Sequence, residues 1–131
     1  MIRNSLHYLG DCALCRGDGD EGATQYRQSV AAALDHEHVA GAAVEMEGLA
    51  MALAAQGRCE LAIRLEAAAA ARMEALGVYV SGVPFWDHLK QRYLAPARDV
   101  LGGPSAAALK AAGRAMGWEA AVAAASASAT T

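Results

Sequence analysis

Apolar and polar residues fall along this chain in seven runs with helical spacing, roughly Ile2 to Arg16, Asp20 to Asp35, His38 to Gln56, Cys59 to Leu76, Pro84 to Leu101, Pro104 to Arg114 and Trp118 to Ala125. The residues between the runs are ones that stop and start helices. Gly17-Asp18-Gly19-Asp20 supplies a glycine stop and an aspartate start, Gly57 and Gly77 stand where C′ glycines belong, and Pro84 and Pro104 suit a first helical turn. Turns this short make neighbouring helices antiparallel. Val78-Tyr79-Val80-Ser81-Gly82-Val83, β-branched and glycine-containing, reads as an extended connector. Pro96 predicts a kink or break near Leu94 and Ala95, and the tail from Ser126 to Thr131 is expected to fray.

The runs are not independent. Leu9 to Asp18 aligns without a gap on Leu49 to Arg58, forty residues later, and each copy is followed by a second helical run. A degenerate third copy ends at Leu101-Gly102, with Leu94 where Leu9 and Leu49 stand. Helix pairs at this period predict stacked antiparallel hairpins, and a hairpin of this kind buries its apolar face only against a neighbour. The expected fold is therefore all-α, a bundle of about seven helices forming one domain over residues 1–131.

Composition sharpens this picture. Hydrophobic residues make up 55% of the chain, nearly half of them alanine, which favours close helix packing over a bulky aromatic core. A net charge of −3 with scattered Arg and Lys offers no basic stripe, so direct nucleic-acid binding is not expected. The longest alanine run, Ala67 to Ala71, is too short to span a bilayer, and the N-terminus lacks the apolar core of a signal peptide. A cytoplasmic protein without membrane contact is the expectation. Three cysteines in such a chain imply free thiols. Cys12 and Cys15 form a C-x-x-C in mid-helix with no preceding strand and no second such pair, so they read as small buried hydrophobes; Cys59 opens a helix with no histidine nearby in sequence.

From Val44 onward, Glu45-Met46-Glu47-Gly48-Leu49-Ala50, then Gly57 to Leu76 with Ala62, Arg64-Leu65 and Ala67-Ala68, resembles the tetratricopeptide-like helical repeats in the C-terminal part of large ATP-binding, LuxR-type transcriptional regulators. The similarity continues through Arg92-Tyr93-Leu94, Leu101-Gly102 and Gly113-Arg114-Ala115; the first repeat matches more loosely, with Gly22 where such repeats place alanine. The resemblance implies a sensing and protein-interaction scaffold. In such regulators other domains carry nucleotide and DNA binding, and here there is neither a Gly-x-x-x-x-Gly-Lys loop nor a recognisable helix-turn-helix.

Register between the repeats sets His7, Glu47 and Arg92 at equivalent positions on three successive first helices. One reading is a polar ladder in which Glu47 pairs with Arg92 and His7 ends the row. The other is a metal site: His7 and Asp11 share a helix face at i, i+4, Glu47 approaches from the next hairpin, and the mixed nitrogen and oxygen set suits zinc or manganese, with Arg92 holding an anionic substrate. His36 and His38, in the turn Asp35-His36-Glu37-His38, are further candidate ligands, although reaching His7 requires loop folding or a second subunit. Glu45, Glu60, Glu66 and Glu74 read as solvated faces, with Glu60 and Arg64 an i, i+4 pair. Phe85, Trp86, Tyr93 and Trp118 supply the aromatic mass of the last third, either as core or, for Trp86 and Tyr93, as the wall of an interaction groove.

These features predict a protein-interaction or ligand-sensing module that needs no cofactor and forms a homodimer, since a short stack without polar capping repeats leaves an apolar end. The competing expectation is a small divalent-metal hydrolase acting on phosphoesters through His7, Asp11 and Glu47.

Overall fold

The computed structural model describes residues 2–78 and 83–129, with side chains from residue 5. It holds seven α-helices and, among the described residues, no strand: α1 (Ile2–Cys15), α2 (Gly19–Asp35), α3 (Val39–Ala55), α4 (Cys59–Leu76), α5 (Pro84–Leu101), α6 (Gly103–Ala115) and α7 (Trp118–Ala127). The all-α bundle expected from the sequence is the observed architecture. The connector expected at Val78 to Val83 falls mostly outside the described residues. No helix among the described residues is long and apolar enough to cross a membrane.

Helix α3 is the hub. Its residues are apolar on all sides, and almost every one from Gly41 to Leu53 is buried, as such a pattern requires. α2 packs between α1 and α3, α4 covers another side of α3, and α4 in turn carries α6, α5 and α7. Leu14, Tyr26, Met46, Leu49, Leu53, Leu65, Leu89 and Leu94 form the inner core with alanines filling the gaps.

The hairpin turns share one geometry. Gly17, Glu37, Gly57 and Gly77 all adopt left-handed φ (78°, 56°, 83° and 70°), at intervals of twenty residues. At each, two backbone bonds close the preceding helix: Gly17 N–H to Leu14 O and Asp18 N–H to Ala13 O, then Glu37 to Leu34 and His38 to Ala33, Gly57 to Ala54 and Arg58 to Leu53, Gly77 to Glu74 and Val78 to Met73, all between 2.8 and 3.1 Å. This is the Schellman closure, which satisfies carbonyls that the helix end would otherwise orphan. The forty-residue repeat is thus two copies of a twenty-residue helix-and-turn unit.

The proposed third copy departs from this pattern. Gly102 has φ 85° but ψ 153°, donates its N–H only to Arg98 O, and serves at once as the end of α5 and the start of α6. Pro96 lies inside α5 without ending it, on the exposed side where its missing donor costs least. Of the tail expected to fray, Ser126 and Ala127 belong to α7 and Ser128 is buried, while Thr130 and Thr131 lie outside the described residues. Cys12 and Cys15 are exposed rather than buried, because the buried face of α1 is the stripe of Gly10, Ala13 and Leu14. Trp86 is buried and Tyr93 donates its hydroxyl to Leu14 O, so both belong to the packing of α5 on α3 and α1 rather than to an open groove.

Candidate functional site

Two buried carboxylates on an otherwise apolar helix define the site. Glu45 and Glu47 are 1% and 3% exposed on α3, and a carboxylate so placed must find donors. Two residues on a helix point about 200° apart, so the two face opposite neighbours. Glu45 meets α1, where both its oxygens lie 2.9 Å from His7 Nδ1. Glu47 meets α5, where it accepts from the Trp86 indole N–H and lies 3.6 Å from Lys90 Nζ.

His7 is held from both sides. Its Nε2 lies 3.2 Å from Asp11 Oδ2, one helical turn along α1. Asp11 in turn accepts from the Tyr26 hydroxyl through Oδ1. The imidazole stacks on Trp86 at 5.5 Å and meets the Tyr26 ring edge-on at 6.0 Å, which carries the network from Asp11 through His7 to the Trp86–Glu47–Lys90 arm. Tyr26 reaches the centre because Gly10 on α1 and Gly48 on α3 lack side chains: a Cβ would stand 2.8 Å and 2.5 Å, respectively, from its ring carbons.

The charges follow from this geometry. Hydrogen bonds to Asp11 and then to Glu45 lift the His7 pKa from 6.5 to about 10, against burial, so His7 is a cation that donates from both ring nitrogens. Burial, reinforced by Asp11, pushes the Tyr26 phenol upward. Burial also raises the Glu47 carboxyl, while the Trp86 N–H and Lys90 hold it back.

Of the residues singled out from sequence, the structure brings together His7 and Asp11 directly, and Glu47 only through Trp86. The expected Glu47–Arg92 ladder is not formed: Lys90 takes that place, and Arg92 instead donates to Cys15 O at 3.4 Å and lies over the Tyr93 ring. Equivalent register positions on neighbouring helices point the same way, not toward each other. His38 lines, with His7, Glu45, Tyr8 and Val44, an open cleft of about 360 Å³, but its Nδ1 already accepts from Gly41 N–H as the cap of α3. His36 is exposed at the end of α2.

A metal ion at His7 would have to displace the proton that the imidazole carries in this arrangement. A ligating imidazole presents a lone pair, and both His7 nitrogens are committed as donors. Among the described residues no group of three or more His, Cys, Asp or Glu side chains is placed to hold one. Comparison with known proteins was equally spare. No family model matches the chain. Searches of curated proteins and of solved structures likewise found no match.

Sequence reasoning placed Glu45 on a solvated face, whereas the structure buries it against α1, and it missed Tyr26 and Lys90. A signal existed for Glu45: it and Glu47 are the only charged residues of α3. For Tyr26 it was the pair Gly10 and Gly48, each in a helix interior where glycine costs about 1 kcal/mol relative to alanine and so implies a close approach.

Proposed function

We propose that this chain is a helical-hairpin interaction module that binds a second copy of itself, with the His7 network serving as an internal lock that fixes the register of α1, α2, α3 and α5. One observation carries this reading. Tyr8, Leu9 and Phe85 are 66%, 51% and 46% exposed, and Tyr8 and Phe85 wall a largely apolar groove of about 520 Å³ together with Asp11, Cys12, Cys15 and Arg16. Knobs and groove thus share one patch, and a two-fold interface needs a surface that offers both. Its relation to the helical repeats of transcriptional regulators is a proposal of the same standing, resting on the residues from Val44 to Ala115.

The internal bonding of the network supports a structural role for it, since its donors are spent on neighbouring side chains. The phosphoester-hydrolase reading finds no such support: His7 offers no lone pair and Glu47 is held by Trp86 and Lys90.

Light scattering or sedimentation at micromolar concentration tests the proposal. A dimer is expected, and Tyr8→Glu combined with Phe85→Glu, both at exposed positions, should give a folded monomer. A wild-type chain that remains monomeric up to about 100 μM, a weak association by any standard, would overturn it.

A further inference from the structure

Remote from the His7 network, two arginines converge on the end of the last helix. Arg27 of α2 donates from Nε to Ser128 Oγ at 3.1 Å, and Arg58, at the start of α4, donates from Nη1 to Ser128 O at 2.7 Å. Both line a polar pocket of about 420 Å³ with Asp20, Thr24, Gln56 and Ser128. Among the described residues neither guanidinium has an ion-pair partner: the carboxylate at the rim, Asp20, accepts from Gln56 Nε2 at 2.8 Å. Two more exposed arginines are paired, Arg98 with Glu66 and Arg114 with Glu74, while Arg64 and Arg72, half-buried like Arg27 and Arg58, form no ion pair among the described residues.

Like charges held together without a counter-ion are unfavourable, and the cost is visible: burial and the neighbouring Arg58 charge both press the Arg27 guanidinium below its ordinary pKa. A guanidinium has five N–H donors. Each arginine uses one of them on Ser128, so the two forks keep most of their donors for the pocket. Two planar forks at one site suit a tetrahedral anion with three or four acceptor oxygens better than a two-oxygen carboxylate, and arginine is the residue that binds phosphate in this bidentate way.

We propose that Arg27 and Arg58 form a binding site for the dianionic phosphate of a phosphate monoester. Its ligand would bridge α2, the α3–α4 turn and the end of α7, fastening the last helix to the bundle. The site is separate from the dimer groove and stands whether or not the chain self-associates.

Titration of the intact chain with inorganic phosphate and with O-phosphoserine, followed by amide NMR at constant ionic strength in sodium chloride, tests this. Saturable shifts are expected near Arg27, Arg58 and Ser128 with a dissociation constant of about 1 mM or tighter. Arg27→Gln and Arg58→Gln should each weaken binding roughly tenfold, the lysine variants less because they keep the charge but lose the fork. Arg98→Gln should bind as wild type. If a glutamine variant does not fold, the lysine variant at that position carries the comparison. Absence of saturable shifts with both probes up to about 50 mM, a concentration well above any specific site, would overturn the proposal, as would lysine and glutamine variants that bind like wild type.

Discussion

Glu45 receives His7 Nδ1 on both carboxylate oxygens at 2.9 Å, and Asp11 receives the other ring nitrogen at 3.2 Å. A neutral imidazole can donate from only one nitrogen, so this clasp selects the cation. Folding and protonation of His7 are therefore linked.

The sign of that linkage is fixed by the shift. His7 binds its proton with a pKa of about 10 when folded and 6.5 when free, so its stabilisation is complete below 6.5 and is lost as pH rises toward 10. Glu47, also raised, contributes a loss of the same sign that begins at 4.5 and is common to wild type and variant, and Tyr26 adds to the loss only above 10, where a free phenol ionises. Urea unfolding from pH 7 to 9 should show stability falling in wild type relative to His7→Gln. At neutral pH the variant should be less stable by roughly 2–3 kcal/mol, because Asp11 and Glu45 lose a charged donor. Parallel curves across this window would contradict the assignment.

Gly48→Ala reverses the ordinary rule. In an exposed helix the change would gain about 1 kcal/mol. Here the new Cβ meets Tyr26 ring carbons at 2.5 Å, and Tyr26 is wholly buried against Gly10 on its other side. A loss of about 1–3 kcal/mol in thermal or urea unfolding is expected from the overpacking.

The two arms of the site should respond differently to loss of charge. Glu47→Gln keeps the shape and the acceptor for the Trp86 N–H while removing a carboxylate whose burial disfavours ionisation, so a change within about 1 kcal/mol is expected. Trp86→Phe removes the donor and leaves that carboxylate with Lys90 alone; it should cost about 1–3 kcal/mol plus the lost ring volume. Equal losses in chemical denaturation would show that the charge of Glu47, not the indole bond, holds this arm.

Glu37 is the one non-glycine residue among the described residues with positive φ, at 56°, and it occupies the turn position that glycine holds at 17, 57 and 77. The left-handed conformation costs a side chain about 1–2 kcal/mol, partly offset by the entropy glycine loses on folding, about 0.5–1 kcal/mol. Glu37→Gly should therefore raise stability by about 0.5 kcal/mol and the melting temperature by about 2 °C. A lower melting temperature would mean that Glu37 makes a compensating contact.

The helices were legible because their stops are chemical: Gly17, Gly57 and Gly77 mark turns that glycine alone enters freely, and Pro84 opens α5. The turn at Glu37 was also placed, although the absence of glycine concealed that it repeats its neighbours at half the forty-residue period. The site was half legible. His7 with Asp11 is a local relation, one turn apart, and local spacing reveals it. Which glutamate completes the clasp depends on the rotation of α3 against α1, and register alone favoured Glu47 where facing geometry selects Glu45. The exposure of Cys12 and Cys15 escaped for a related reason, since alanine and glycine let the buried stripe of α1 pass through residues that carry little hydrophobic signal.

The equal spacing of the four left-handed residues bears on how such an array changes length. Because chain direction reverses with every twenty-residue unit, only pairs can be gained or lost without inverting the helices downstream. Excising residues 18–57 would join the turn at Gly17 to Arg58 with the same backbone closure on each side. That deletion would also take away Glu45 and Tyr26, leaving the imidazolium on α1 with Asp11 alone, so this pair of units is interchangeable in its backbone and irreplaceable in its side chains.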